Sequence, residues 1–370
     1  MKSNLIPVAN PHANYLTHAT EIDAAIKTVL NSARYILGQQ TQAFEANFAT
    51  YIGVKHAVGV NSGTDAIVLA LRALDIKAGD EVITVSHTAV ATVAAIELVN
   101  ARPVFCDINP QTRCMDAEKL ESLITDKTKA ILVVHLYGHP ADMQKLQAIA
   151  KKHQLLLIED CAQAHGAKIN GQMVGSFSDV SCFSFYPTKN LSAIGDGGAV
   201  LTNNDALADR LRWLREYGWK ERYISYYQGM NTRLDEMQAA ILNVKLLYLE
   251  NEILRRNEIA NRYQQALTNT NIVLPSTKPG CRHAYHLYVI ETQNRQSLIQ
   301  HLTQNGVASA IHYPQGVHQQ PAYFGRIRGC QNLPVTEALI PTILSLPMYP
   351  ELTNAMVETV IKALLSFGKQ

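Results

Sequence analysis

The chain has 370 residues, 47% of them hydrophobic and 17% charged, with 33 Lys and Arg against 31 Asp and Glu. This is enough apolar material for a large domain and a smaller one, and the formal net charge of +2 provides no overall basic field of the kind that binds nucleic acid. The start at Met1 to Pro7 lacks the apolar core of a signal peptide, no apolar run approaches membrane-spanning length, and the six cysteines have neither CxxC nor zinc-finger spacing; a cytoplasmic protein with reduced thiols, no metal and no membrane or nucleic-acid partner is expected.

In chain order, Val58 to Val60 read as a strand, Ser62 to Thr64 as a turn of small residues, and Ala66 to Leu74 as a helix with apolar residues at helical spacing. Further strands are expected at Val82 to Val85, Val104 to Asp107, Ala130 to His135, Leu155 to Ile158 and Val180 to Phe185, with Ala-, Leu- and Lys-rich helices between most of them. That alternation predicts an α/β fold built on a mostly parallel sheet with helices on both faces. Asp235 to Leu267, free of Pro and Gly, reads as one long connecting helix that Pro275, Pro279 and Gly280 end. Tyr285 to Ile290 then alternates like a strand and Ser297 to Asn305 reads as a helix, giving a smaller C-terminal α+β domain. The expected division is 1–250 and 251–370.

Two side chains stand out chemically. Leu155 to Ile158 is apolar throughout, as in a strand buried on both faces, and it ends in Glu159-Asp160, so Asp160 falls at a strand's carboxyl end, where open α/β sheets bind ligands. Lys189 follows a second apolar run, with Pro187 stopping the strand and stiffening the turn that presents the amine. A pyridoxal cofactor needs this pair: an amine to hold its aldehyde as a Schiff base and a carboxylate to keep its ring nitrogen protonated. The helix starting near Gly63 or Thr64 offers free amides and a positive dipole end to a phosphate, with the Ser62 and Thr64 hydroxyls alongside and Ser184 as a further contact. An ordinary N-cap explains the same residues. His135 and His139 have i, i+4 spacing, but Tyr137-Gly138-His139-Pro140 reads as a strand end and turn, so zinc is not expected there.

In wording and order the motifs resemble the sugar-nucleotide aminotransferases of the DegT/DnrJ group, pyridoxal-phosphate enzymes of aminotransferase fold type I. The likeness runs through Gly38 with Phe44-Glu45, Asn61 to Ala66, Gly79 to Ile83, Ser86 to Thr92 and His135 to Gly138. It continues through Glu159 to Gln163, Tyr186 to Asn190, Tyr217 to Trp219, Asn231 to Ala240 and Ile311 to Pro314. The wording His-Thr-Ala-Val-Ala-Thr, Tyr-Pro-Thr-Lys-Asn and Arg-Leu-Asp-Glu-Met-Gln is most similar to members that aminate C3 of a dTDP-linked 3-keto-6-deoxyhexose.

The resemblance implies that Lys189 binds the cofactor and shuttles protons, that Asp160 partners the ring nitrogen, and that Gln163 donates to the phenolic oxygen. Gly63, Thr64 and Ser184 would hold the phosphate, completed by Asn231 or Arg233 of a neighbouring subunit in a homodimer with a shared site. Where some relatives stack an aromatic ring on the cofactor this chain has Ala89, which leaves His87 as a candidate. Tyr186, Lys220, Arg222, Tyr223, His312 and Tyr313 are candidate contacts for the sugar and its diphosphate. The implied cofactor is pyridoxal 5'-phosphate, passing through pyridoxamine phosphate in turnover, with glutamate as amino donor. The alternatives are a 4-keto substrate, a dehydratase, against which Lys189 argues because such enzymes commonly have His in its place, and a cofactor-binding regulator without turnover.

Overall fold

The computed structural model describes residues 5–367. Its centre is a seven-stranded sheet in the spatial order His56–Val60, Gly198–Thr202, Val180–Ser184, Leu156–Asp160, Thr128–Val134, Glu81–Val85, Arg102–Cys106. Six strands run parallel and Gly198–Thr202 runs against its two neighbours. The expected mostly parallel α/β sheet is thus present, with strand ends shifted by a residue or two. Gly198–Thr202 is an additional strand; its Gly-Asp-Gly-Gly lead reads as a turn, and its partners on both sides are what make it a strand. Because it returns antiparallel to Val180–Ser184, the connection over 185–197 needs no crossover helix. That loop carries Lys189.

Two apolar cores flank the sheet. One is dominated by Val, Ile and Leu of the central strands, and the other gathers Phe44, Phe48, Phe183 and Phe185. A third core lies around Tyr263, Tyr288, Leu298, Leu344 and Val360. The helix Leu249–Leu267 joins the second core to the third, giving Leu249 and Ile253 to one and Ile259, Tyr263 and Leu267 to the other. Ile6 bridges to Val307 and packs on the third core, so the N-terminal segment lies with residues beyond 250.

The long helix expected over 235–267 is two helices, Glu236–Leu246 and Leu249–Leu267. The turn tightens at the junction, where the Leu247 and Tyr248 amides reach back only three residues, to Val244 and Lys245. No Pro or Gly marks the break; the two halves diverge because they pack on different partners. The strand expected over 285–290 forms only as Tyr288–Glu291, paired with Ile343–Leu346. Upstream, Ala284 and Leu287 instead give their amides to the Gly138 and Tyr137 carbonyls.

Glu236, 3% exposed, accepts the amides of Gly38 at 2.7 Å, Thr41 at 2.8 Å and Gln40 at 3.0 Å, capping the helix Gln39–Ile52 from a distant part of the chain. A Cβ on Gly38 would come within 2.8 Å of that carboxylate, which is why glycine stands there. No described helix is long and apolar enough to cross a membrane.

Candidate active site

The parallel strands end at Val60, Val85, Val134, Asp160 and Ser184, so Ser62, His87, Tyr137, Asp160, Gln163 and Ser184 come to one edge of the sheet. Asp160 is 5% exposed; its Oδ2 accepts the Thr92 hydroxyl at 2.8 Å and its Oδ1 the Ala162 amide at 3.1 Å. Burial raises its carboxyl above the ordinary range, opposed by those two hydrogen bonds and by the charge of Lys189. Desolvation is the largest of these effects.

Lys189 is partly buried, and its amine forms no ion pair or hydrogen bond among the described residues. Burial pushes it down to about 8 against the pull of Asp160. Its charge also depresses His165, His286 and His312, though burial is the larger cause for each. His165 is fully buried among Phe48, Phe183 and Phe185, and burial pushes it to about 3 against a weak backbone contact with Ser184. His312 Nδ1, by contrast, lies 2.8 Å from the Ser345 hydroxyl.

His87 is 1% exposed and its Nε2 lies 2.7 Å from the Tyr137 hydroxyl. Gln163 accepts the Tyr137 amide on Oε1 at 2.7 Å and donates through Nε2 to the Tyr313 hydroxyl at 3.1 Å. The Tyr137 hydroxyl in turn donates to the His312 carbonyl. His87, Gln163 and His312 thus converge on Tyr137, with Tyr313 reached through Gln163; the sequence gives no reason to single out the Tyr137 side chain. Thr92 is likewise unassigned; its position on the helix Val90–Leu98, one turn beyond Thr88, was the available signal.

At the other end, Ser62 caps the helix Gly63–Ala73, its hydroxyl oxygen accepting the Asp65 amide at 3.1 Å. The plain N-cap reading therefore holds, and it leaves the Gly63 and Thr64 amides without a side-chain cap. A Cβ on Gly63 would sit 2.5 Å from the Ser184 Cβ, so glycine lets the helix start against the strand end. Thr232 donates to Asp65 Oδ2 at 2.8 Å and accepts the Asn61 amide at 3.1 Å, which brings its segment beside this helix start within one chain.

The remaining candidates are exposed or paired with other groups. Tyr186 is 52% exposed and Asn231 is exposed, while Arg233 pairs with Glu216 at 3.7 Å. Lys220 stacks over Trp213 at 4.4 Å and Arg222 over Tyr223 at 4.9 Å, on a small hairpin formed by Trp219–Glu221 and Ile224–Ser225. Lys220, Arg222 and Tyr223 make no contact with the Asp160 and Lys189 groups of their own chain, because the hairpin packs toward the helix Asp205–Leu214. His135 Nε2 meets Glu159 Oε1 at 3.1 Å and its Nδ1 accepts the Ala141 amide at 3.0 Å; Cys161 completes a cluster whose ligand atoms lie within 4.8 Å. Glu159 also accepts from Gly175, Phe177 and Ser178, so hydrogen bonds occupy this cluster.

A buried carboxylate short of positive charge, an unpaired amine at about 8, an outward amide donor and the Gly63 and Thr64 amides left over at a capped helix start fit pyridoxal phosphate: each meets one of its polar groups.

The profile of the DegT/DnrJ/EryC1/StrS aminotransferase family matches residues 17–365. The chain is 46% identical over 360 residues to the erythromycin biosynthesis sensory transduction protein EryC1 of Saccharopolyspora erythraea, covering 97% of this chain and 98% of that one. It is 44% identical to the dTDP-3-amino-3,4,6-trideoxy-alpha-D-glucose transaminase of Streptomyces venezuelae, covering 99% and 97%. The crystal structure of S. venezuelae DesV in complex with a ketimine intermediate superposes with a TM-score of 0.97 at 44% identity, over 99% of both chains.

Proposed function

Since this chain belongs to the DegT/DnrJ/EryC1/StrS aminotransferase family, as a pyridoxal-phosphate-dependent sugar aminotransferase, we propose that it converts a dTDP-linked 3-keto-6-deoxyhexose to the 3-amino sugar, with glutamate as donor. The observation that carries the site assignment is the unpaired, depressed Lys189 amine in electrostatic reach of the buried Asp160. The 3-keto preference is supported by the motif wording around His87, Lys189 and Glu236 and by the 3-amino sugar in the name of the S. venezuelae relative.

Bound pyridoxal phosphate supplies an aldehyde for the amine and a ring that takes up the electron pair left when a carbon is deprotonated. Asp160 holds its negative charge against that ring, with Thr92 and Ala162 fixing the carboxylate. Gln163 presents Nε2 as a donor, and the Gly63 and Thr64 amides with Ser184 hold the phosphate. Lys189 Nζ takes the proton from the donor's Cα in one half-reaction and delivers a proton to C3 of the sugar in the other. Its value near 8 leaves part of the amine free to accept a proton at neutral pH.

The partner subunit of a homodimer would complete the phosphate end through Asn231 or Arg233. The exposure of Asn231 supports this. On the same reading the hairpin of Lys220, Arg222 and Tyr223 serves the neighbouring subunit's sugar diphosphate.

The test is the visible spectrum of the cofactor-loaded protein. Glutamate should bleach the band and only the 3-keto sugar should restore it. Recovery with the 4-keto isomer alone would move the chemistry to C4, and the absence of any band would remove Lys189 from its role.

A further inference from the structure

We propose that Tyr137 fixes the hydrogen-bonding state of His87 and Gln163 together, and so is a positioning residue for the reaction. This rests on the reading that those two side chains face the cofactor.

The Tyr137 hydroxyl has one proton, and the His312 carbonyl can only accept, so the proton goes there. Toward His87 the hydroxyl must then act as acceptor, and the 2.7 Å contact requires the hydrogen on Nε2. Nδ1 is left as a bare acceptor in a ring 1% exposed, and it has no partner among the described residues. On Gln163 the same logic runs in reverse. The Tyr137 amide can only donate, so the atom 2.7 Å away is Oε1 and the NH2 group is turned outward. Nε2 spends one hydrogen on Tyr313 at 3.1 Å and keeps the other. One residue therefore sets an acceptor at His87 and a donor at Gln163.

The backbone of Tyr137 is held for this purpose. Its φ is +61°, a left-handed conformation that a residue with a side chain seldom adopts. The turn is pinned from several sides. His135, two residues earlier, is locked between Glu159 and the Ala141 amide, while Leu287 and Ala284 donate to the Tyr137 and Gly138 carbonyls. A Cβ on Gly138 would come within 2.9 Å of the Gln163 carbonyl.

The test is imidazole nitrogen NMR on the cofactor-free protein, with the His87 signals assigned by His87→Gln. Wild type should show a protonated Nε2 and an unprotonated Nδ1 on His87 from pH 5 to pH 8. In Tyr137→Phe, which keeps the backbone donor to Gln163, His87 should shift toward the other tautomer or a mixture. The same variant should lose roughly tenfold in kcat, with little change in the donor KM. A wild-type His87 protonated on Nδ1, or His87 signals indifferent to Tyr137→Phe, would overturn the proposal; the wild-type measurement stands even if the variant folds poorly. The expected tautomer, with His87 signals unmoved on loading pyridoxal phosphate, would instead overturn the reading that His87 faces the cofactor, and the positioning role with it.

Discussion

Thr92 donates its hydroxyl to Asp160 Oδ2 at 2.8 Å, and the Thr88 hydroxyl lies 2.9 Å from that of Thr92. With its proton given to Asp160, the Thr92 oxygen is the acceptor for Thr88, so two hydroxyls in series support one buried carboxylate. Thr92→Val keeps the shape and removes the donor. A hydrogen bond to a charged group contributes about 1.5–3 kcal/mol, so kcat should fall roughly 10- to 100-fold, and the loss should deepen at low pH because the Asp160 carboxyl rises further. Asp160→Asn should capture the cofactor and transfer almost no amine. Steady-state rates from pH 5 to pH 9 check both; a Thr92→Val protein with wild-type rates would remove the hydroxyl from this role.

Lys189 makes its own stability signature. Its folded value of about 8 lies below the 10.5 of a free lysine, so the folded state penalises the charged amine. That penalty is fully present below pH 8 and is relieved as pH rises from about 8 to about 10.5. Cofactor-free Lys189→Met should therefore melt higher than wild type at pH 7, and the gap should narrow over that range. Thermal scans at several pH values decide it; a gap constant with pH would exclude the titration as its cause.

Glu236 gives the opposite sign. Burial works against its charge, but the hydrogen bonds from Thr41, Gln40 and Gly38 hold the carboxyl below the ordinary range. Its contribution is present above the unfolded carboxyl value and is lost as pH falls through the lower folded value. Glu236→Ala should destabilise by roughly 2–4 kcal/mol at pH 7 and by less in acid, as denaturant midpoints between pH 3 and pH 7 would show. An equal loss at both ends would point to packing rather than charge.

The approach of Gly63 to Ser184 predicts a compensating pair. Gly63→Ala forces a Cβ to within 2.5 Å of the Ser184 Cβ and must push the helix start away from the strand. Pyridoxal phosphate retention should weaken by about 1–2 kcal/mol, and Ser184→Gly in the same protein should recover only the part lost to the clash, because the Ser184 hydroxyl goes with it. Titrations of the cofactor into both variants measure this; equal affinity in the single variant and wild type would mean that this contact does not shape the phosphate end.

Asp160 and Lys189 were legible because a buried parallel strand leaves an apolar run that stops abruptly at a polar residue, and because Pro187 marks the end of the next strand. The expected strands appear near their places for the same reason: two-sided burial writes a continuous signal into the local sequence. The antiparallel Gly198–Thr202 carried no such signal, since its Gly-rich start resembles a turn, and the break at Leu247–Tyr248 carries no helix breaker.

By itself the sequence determined the fold class, the edge of the sheet at which Asp160 falls, and the residue types available there, because these follow from local periodicity and strand ends. Only the tertiary structure decided how they are wired. Tyr137 meets His87, Gln163 and His312 across separations of 50, 26 and 175 residues, and Thr92 reaches Asp160 across 68. Hydrogen-bond polarity at such distances depends on which strand ends and turns the folded sheet brings together, and no local pattern records that. Nor did the basic residues at Lys220 and Arg222 disclose that their charges rest on Trp213 and Tyr223, away from their own chain's Asp160.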